Sequence, residues 1–295
     1  MKYILGGGIA GLIFKFYNPE YKIITKDVGG QLRSNFQLGP RYLHLDKYSN
    51  RFVRDIGRFV KFHRSVCNIG YYYNGDFHDK LNDSVIKDYI KKTSRDVNID
   101  GIMNSGKSTF RYWKFDYEKL IEFFYKKFEK DIIIDDIISI DINNKLIYTK
   151  STTFKYDKIV STIPAIVFIK LTNTFIENEF SYYKPISFFV INLIFPKKYD
   201  FVYFIDNIIP FYRVTRINDK ISVIEFLGDD FDKYNDYLHK SYIAFYIEKY
   251  GKIINENLKL IENPDIIYLG RYAEWKHNIR INQVIKKSID ISKGI

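Results

Sequence analysis

One cysteine, Cys67, stands in a chain of 295 residues, so no disulfide can form within it. A reducing compartment is the natural reading, and the cytoplasm is the expected location. Cys67 itself reads as a small buried apolar residue. Long hydrophobic runs are also missing. The longest, Ile186 to Phe195, is interrupted by Ser187 and Asn192 and is too short to cross a bilayer, so no membrane contact is expected. The first apolar strand begins at residue 2 or 3, which leaves no room for a signal peptide. The five histidines, His44, His63, His78, His239 and His277, form no pair at metal-ligand spacing, and no metal is expected. No Gly-x-Ser-x-Gly nucleophile elbow occurs, and no covalent-flavin attachment signal can be read. Like-charged runs never reach five residues, which excludes a basic tail.

What is present describes a soluble globular protein of one large domain or two: 46% apolar residues, 27% charged and a high 18% aromatic. The net charge of +11 points to an anionic partner such as a dinucleotide, a nucleotide-sugar or a nucleic acid. Nothing singles out nucleic acid among these. The sharpest signal comes first. Tyr3 to Leu5 reads as a buried strand that runs directly into Gly6-x-Gly8-x-x-Gly11, and Leu12 to Tyr17 reads as a helix start. Strand, tight turn and helix are the context of a dinucleotide fingerprint. Gly6 allows the turn, Gly8 lets the backbone approach a pyrophosphate, and Gly11 lets helix pack on strand. The helix N-terminus offers its N–H groups to phosphate, which places Ile9 and Ala10 at the ligand. Asn18-Pro19 ends the helix early.

A second strand is expected over Tyr21 to Thr25. Its end, Thr25-Lys26-Asp27, should supply the ribose contact, and spacing leaves all three residues as candidates. Further on, helices are expected over Asn50 to His63 (with Phe52, Ile56, Phe59 and Val60 on one face), Ser84 to Lys92, Asp116 to Lys130 (stripe Leu120, Ile121, Phe124, Phe128), Tyr237 to Tyr250 and Ile281 to Ile291. Asn74-Gly75 marks a hairpin over Gly70 to Phe77. Gly101 to Ser108 matches a phosphate-loop pattern by letter, but neither a buried strand before it nor a helix after it supports that reading. Short strands are expected within Asp131 to Ile142, Lys145 to Thr149, Thr153 to Tyr156, Phe188 to Phe195, Phe201 to Asp206, Ile209 to Arg216 and Ile221 to Leu227.

Several of these stretches together resemble a family. The fingerprint is followed by Val28-Gly29-Gly30-Gln31-Leu32-Arg33, then Leu38-Gly39-Pro40-Arg41-Tyr42. Tyr156 to Ile163-Pro164 comes mid-chain, and Tyr268-Leu269-Gly270-Arg271 through Trp275 precedes the last helix. The pattern resembles the glutathione-reductase-type flavoproteins, within them the branch of amine oxidases, protoporphyrinogen oxidases and UDP-galactopyranose mutases. The resemblance implies FAD. It places Gly29, Gly30, Gln31, Leu32 and Arg33 along the pyrophosphate, and Gly39, Pro40, Arg41 and Tyr42 near the isoalloxazine. Ile137 would stand by the adenine and Thr162 and Pro164 close to the cofactor. Gly270, Arg271 and Trp275 would lie before the helix that points at the flavin ring. Arg213 would face the substrate cavity, and Arg41, Arg213 and Arg271 are the catalytic candidates. The mutases carry Asp-Met before the last helix, and this chain does not, over Asn278 to Asn282.

The implied fold is α/β. A discontinuous Rossmann-type FAD-binding domain is expected from residues 1–60, 115–170 and 258–295. An α+β substrate domain on a mixed or antiparallel sheet is expected from 61–114 and 171–257. The expected activity is oxidation of a small or anionic substrate by hydride transfer to flavin N5. The alternatives are a redox-neutral mutase or isomerase acting on a nucleotide-sugar, a flavoenzyme modifying a nucleotide or nucleic acid, and a non-catalytic dinucleotide-binding protein.

Overall fold

The structure is a computed structural model and describes residues 1–33, 42–93 and 108–295. In chain order the strands and helices are Lys2–Gly8 (β1), Ile9–Tyr17 (α1), Tyr21–Gly29 (β2), Leu43–His44 (β3), Lys47–Ile56 (α2), Phe62–Tyr73 (β4), Asp76–His78 (β5), Asp83–Thr93 (α3), Thr109–Phe115 (β6) and Tyr117–Phe128 (α4). There follow Ile132–Ile134 (β7), Ile137–Asp141 (β8), Leu146–Thr149 (β9), Thr153–Lys155 (β10), Lys158–Ser161 (β11), Ala165–Leu171 (α5), Tyr183–Ile191 (β12) and Phe201–Phe204 (β13). The chain ends with Phe211–Arg216 (β14), Ser222–Leu227 (β15), Phe231–Tyr237 (α6), Ala244–Ile253 (β16), Ile266–Tyr268 (β17) and Ile281–Ser292 (α7).

A five-stranded sheet in the order β17-β11-β1-β2-β7 is parallel throughout. Such a sheet must be covered on both faces, and its strands read accordingly. Ile4, Leu5, Ile23, Ile24, Ile159 and Val160 are fully buried. On one face Leu12, Ile13 and Phe14 of α1 pack with α2, α4 and α7 around Phe52, Phe124 and Ile285. On the other, α5 and the antiparallel sheet β10-β9-β8 close over Tyr3, Leu5 and Ile24 through Phe168 and Ile147. The starts of α2 and α4 are capped locally. Asp46 Oδ1 accepts from the backbone N–H groups of Tyr48 and Ser49 at 2.9 and 2.7 Å, and Ser49 Oγ accepts from Asp46 N–H, a reciprocal box. Asp116 does the same for α4 through Glu118 N and Lys119 N.

The second large sheet follows the order β16-β12-β15-β14-β13-β4-β6-β3, with β5 hydrogen-bonded to β4. It is antiparallel except for β13 with β4. The expected α/β class with a mixed second sheet is therefore what the chain adopts. The Asn74-Gly75 hairpin forms with φ of 54° and 79°, the positive pair that a type I′ turn requires. Asp206 holds it by accepting from both backbone N–H groups.

Two expected helices are corrected. The helix over Asn50 to His63 runs instead from Lys47 to Ile56, and residues 62 onward form β4. Phe52, Ile56 and Val60 are buried at helical spacing, which imitates a longer helix. Phe59, however, is 53% exposed and stacks on Phe123, because the seven residue pairs from Phe62 to Asn68 with β6 pull the chain out into a strand. The helix over Tyr237 to Tyr250 is replaced by α6, which ends at Tyr237, and by β16. His239 and Lys240 take φ of 50° and 57°, left-handed values that break a helix. Phe245, Tyr246 and Ile247 then pair with β12, the context that favours aromatic and β-branched residues. Among the described residues no helix is long and apolar enough to cross a membrane.

Phe124 is fully buried and its ring meets Phe16, Phe52, Phe123 and Phe128. Truncation to alanine is expected to cost about 3–5 kcal/mol. Urea unfolding followed by circular dichroism checks the figure.

Candidate cofactor and substrate cavity

The fingerprint is built by close backbone contact. Gly6 has φ of +106°, and a Cβ there would stand 2.7 Å from Thr162 Oγ1. A Cβ on Gly11 would stand 2.2 Å from the Gly6 carbonyl oxygen, closer than any packing allows. Gly8 differs. It has ordinary extended φ and ψ of −72° and 177°, and a Cβ there would meet nothing within 4 Å. Gly8 is also the N-cap of α1 and offers no side-chain acceptor to the first-turn N–H groups. Those groups and the positive end of the helix are thus presented to whatever fills the open space.

That space is a cavity of about 800 Å³, within the range of cavities that enclose small ligands and cofactors. Gly6, Gly8, Ile9 and Ala10 line one end of it. From β2 and the turn after it come Thr25, Lys26, Asp27, Gly29, Gly30, Gln31 and Leu32. Thr162 and Pro164 follow β11, Ile137 begins β8, and Gly270 and Arg271 follow β17. Tyr42 lies further along, edge-on to Phe110 and Tyr112. Burial holds its hydroxyl well above the usual phenol range.

Of the three candidates for the ribose position, Thr25 is committed to the fold. Its Oγ1 accepts from Gly7 N–H at 2.9 Å and donates to the Asp27 carbonyl at 2.5 Å. Lys26 and Asp27 are exposed or half-exposed at the cavity. Thr162 plays the matching part on the other side, donating to the Leu5 and Gly6 carbonyls at 2.9 and 3.1 Å. Arg271 spans from the turn to the start of α7, its Nε–H donating to the Ile279 carbonyl at 3.3 Å. Ile279, Arg280 and Ile281 bring the N-terminal end of α7 to the same cavity.

Two expected site residues stand elsewhere. Gly11 is buried beneath the fingerprint rather than on the cavity. Trp275 is 1% exposed, packs with Ile166, Tyr183 and Ile253, and donates its indole N–H to the Asn255 carbonyl. It is a core residue, because the turn before α7 carries its ring under α5 and away from the cavity. Gly39, Pro40 and Arg41, and the phosphate-loop pattern up to Lys107, lie outside the described residues, as does the side chain of Arg33.

The far end of the cavity has walls that motif reading missed. Helix α3 supplies Tyr89, Ile90 and Thr93, and the second sheet supplies Phe110, Phe188, Phe201, Tyr203, Tyr212 and Arg213. Tyr246, Glu248 and Lys252 come from β16. Lys92 pins the end of α3 to the carbonyls of Phe204 and Asp206 at 2.8 Å each, and burial lowers its ammonium to about 8. Arg213 does line the cavity, but it is not a loose arm. Its Nε–H and one Nη2–H donate to Glu225 at 2.7 and 2.6 Å, and Tyr212 donates its hydroxyl to the same carboxylate at 2.7 Å. Burial opposes the Arg213 charge and the fully buried Glu225 more than restores it, so the guanidinium stays cationic. The signal available in the sequence was Glu225 itself, a carboxylate inside Val223-Ile224-Glu225-Phe226.

No family model and no curated protein matches the chain in sequence. Solved structures do match in fold. A reduced UDP-galactopyranose mutase superposes with a TM-score of 0.68 at 10% identity, covering 99% of this chain and 94% of its own. A fatty acid isomerase from P. acnes gives 0.67 at 12%, covering 100% and 98%. A double mutant of putrescine oxidase gives 0.63 at 8%, covering 99% and 98%. The fold is thus that of the Rossmann-type flavoprotein group the sequence resembles.

Thr25→Val keeps the side chain's shape but leaves the buried Gly7 N–H without an acceptor. A loss of about 1–3 kcal/mol is expected in denaturant unfolding.

Proposed function

We propose that the cavity holds FAD and that the protein is an FAD-dependent oxidoreductase of the amine-oxidase-like group, oxidising a small substrate. The observation that carries this reading is the opening at Gly8, where a bare backbone and an uncapped helix end face one continuous cavity that ends at an aromatic wall. The residues fit the group. The fingerprint and the Gly29–Gly30 turn would hold the pyrophosphate, with Lys26 and Asp27 at the ribose and Ile137 at the adenine. The N-terminal end of α7, with Gly270 and Arg271, would stand by the ring. When bound, FAD supplies a two-electron acceptor whose N5 takes a hydride.

The chain's own contribution is placement and exclusion of water. The rings of Tyr89, Phe110, Phe201, Tyr203 and Tyr212 make a low-dielectric chamber in which the fixed charges act at short range. Arg271 and the positive end of α7 would stabilise negative charge at that end of the cavity. The redox-neutral alternative, a mutase acting on a nucleotide-sugar, calls for a guanidinium free to grip a diphosphate. Arg213 already has two of its donors and its charge engaged by Glu225, which favours the oxidation reading.

The purified protein is expected to be yellow, to bleach with dithionite and recolour in air, and to release FAD, identified by mass, on denaturation. A colourless protein that takes up no FAD would overturn the proposal. Two glycine variants separate fold from cofactor. Gly8→Ala should keep the melting temperature of the flavin-free wild-type protein and lose the flavin, because its methyl group enters the cavity. Gly11→Ala should lower the melting temperature with or without flavin, because its methyl group meets the Gly6 carbonyl.

A further inference from the structure

Among the described residues the aromatic wall holds one buried guanidinium, Arg213, and the hydrogen-bond inventory of that group is unequal on its two sides. Arg213 and Glu225 are partners in register across β14 and β15. Glu225 is fully buried and accepts three hydrogen bonds, two from Arg213 and one from Tyr212. A guanidinium carries five N–H donors. Glu225 takes two of them from behind the wall. The remaining three, both on Nη1 and the second on Nη2, have no protein acceptor among the described residues, and the side chain is 19% exposed where it borders the cavity.

Charge completes the picture. Lys252 and Glu248, both on β16, also line this wall. The pair that the proposal needs is Arg213 with Glu225, whose charges cancel each other. An anionic ligand would lose its hydration to enter among aromatic rings and meet a guanidinium whose charge Glu225 already cancels. A neutral oxygen acceptor would meet the three spare N–H donors at a far smaller desolvation cost.

We propose that this half of the cavity takes a flat apolar molecule bearing one neutral hydrogen-bond-accepting oxygen, such as a carbonyl, which docks on the outer edge of Arg213. Glu225 is the specificity determinant: it cancels the guanidinium charge and so turns carboxylates and phosphates away. The inference rests on the cavity being the substrate site of the proposed flavoenzyme and names the class of molecule that enters it.

The test uses the full chain as purified and a matched pair of probes, naphthalene carboxamide and naphthalene carboxylate, by equilibrium dialysis. The wild-type protein should bind the carboxamide about tenfold tighter than the carboxylate. In Glu225→Gln the preference should reverse. Equal binding, a carboxylate preference, or no binding of either probe by the wild-type protein would overturn the proposal. So would a Glu225→Gln variant that folds and keeps the wild-type ratio. If Glu225→Gln does not fold, the paired variant Arg213→Met/Glu225→Met removes both charges together. It should lose the preference for the carboxamide over methylnaphthalene that the wild-type protein shows, and retention of that preference would overturn the proposal. Visible absorbance is read on the same samples. A colourless protein that still discriminates keeps this inference and loses the flavin, whereas a yellow protein that does not discriminate loses only this inference.

Discussion

The half built on the parallel sheet takes its shape from one contact: the Cα of Gly11 against the carbonyl of Gly6, with room for no further atom. It fixes how deeply α1 sinks onto β1. Because α1 sits so close, its first turn emerges level with the ends of the parallel strands, where ligands gather in open α/β sheets. Two hydroxyls then lock the turn from either side, Thr25 from β2 and Thr162 from β11. The result is a loop whose backbone is fully specified by the protein while its outward face is left bare.

The other half follows the opposite principle. There the chain places ionised groups inside an aromatic wall, which is expensive unless each is paired. Glu225 is the residue that makes this tolerable, gathering Arg213 and Tyr212 into a compact cluster with no net charge. Such a cluster seldom adds much to stability compared with apolar side chains of the same volume. What it does supply is a guanidinium held in one orientation, with its plane fixed from behind.

The contrast explains what could be read from the sequence. Gly6, Gly8 and Gly11 were legible because the conformations they permit are local and their spacing is set by one strand and one turn of helix. The Asn74-Gly75 hairpin and the stripe of α4 were legible for the same reason. Residues 57–66 and 238–250 were not, because their aromatic residues suit either helix or strand until β6 and β12 are present to pair with them. Trp275 was drawn to the cofactor by its neighbours Gly270 and Arg271, yet a large ring within a turn can face either way, and the core took it. The cavity wall was the least visible part. Tyr89, Tyr203, Tyr212 and Lys252 lie on four elements far apart in sequence, and only the second sheet brings them together.

The strand order of the parallel sheet carries a consequence for how this chain is made. β1 is the central strand, with β11 and β2 on either side and β17 beyond β11. β1 is synthesised before every other strand of this sheet, whereas β17 begins only at Ile266. Until that last strand and α7 emerge, one edge of the parallel sheet stays open and one face lacks part of its cover. Contacts of such sequence separation close slowly, and an open parallel edge invites wrong partners. The nascent chain therefore holds the earliest strand of this sheet waiting for the latest.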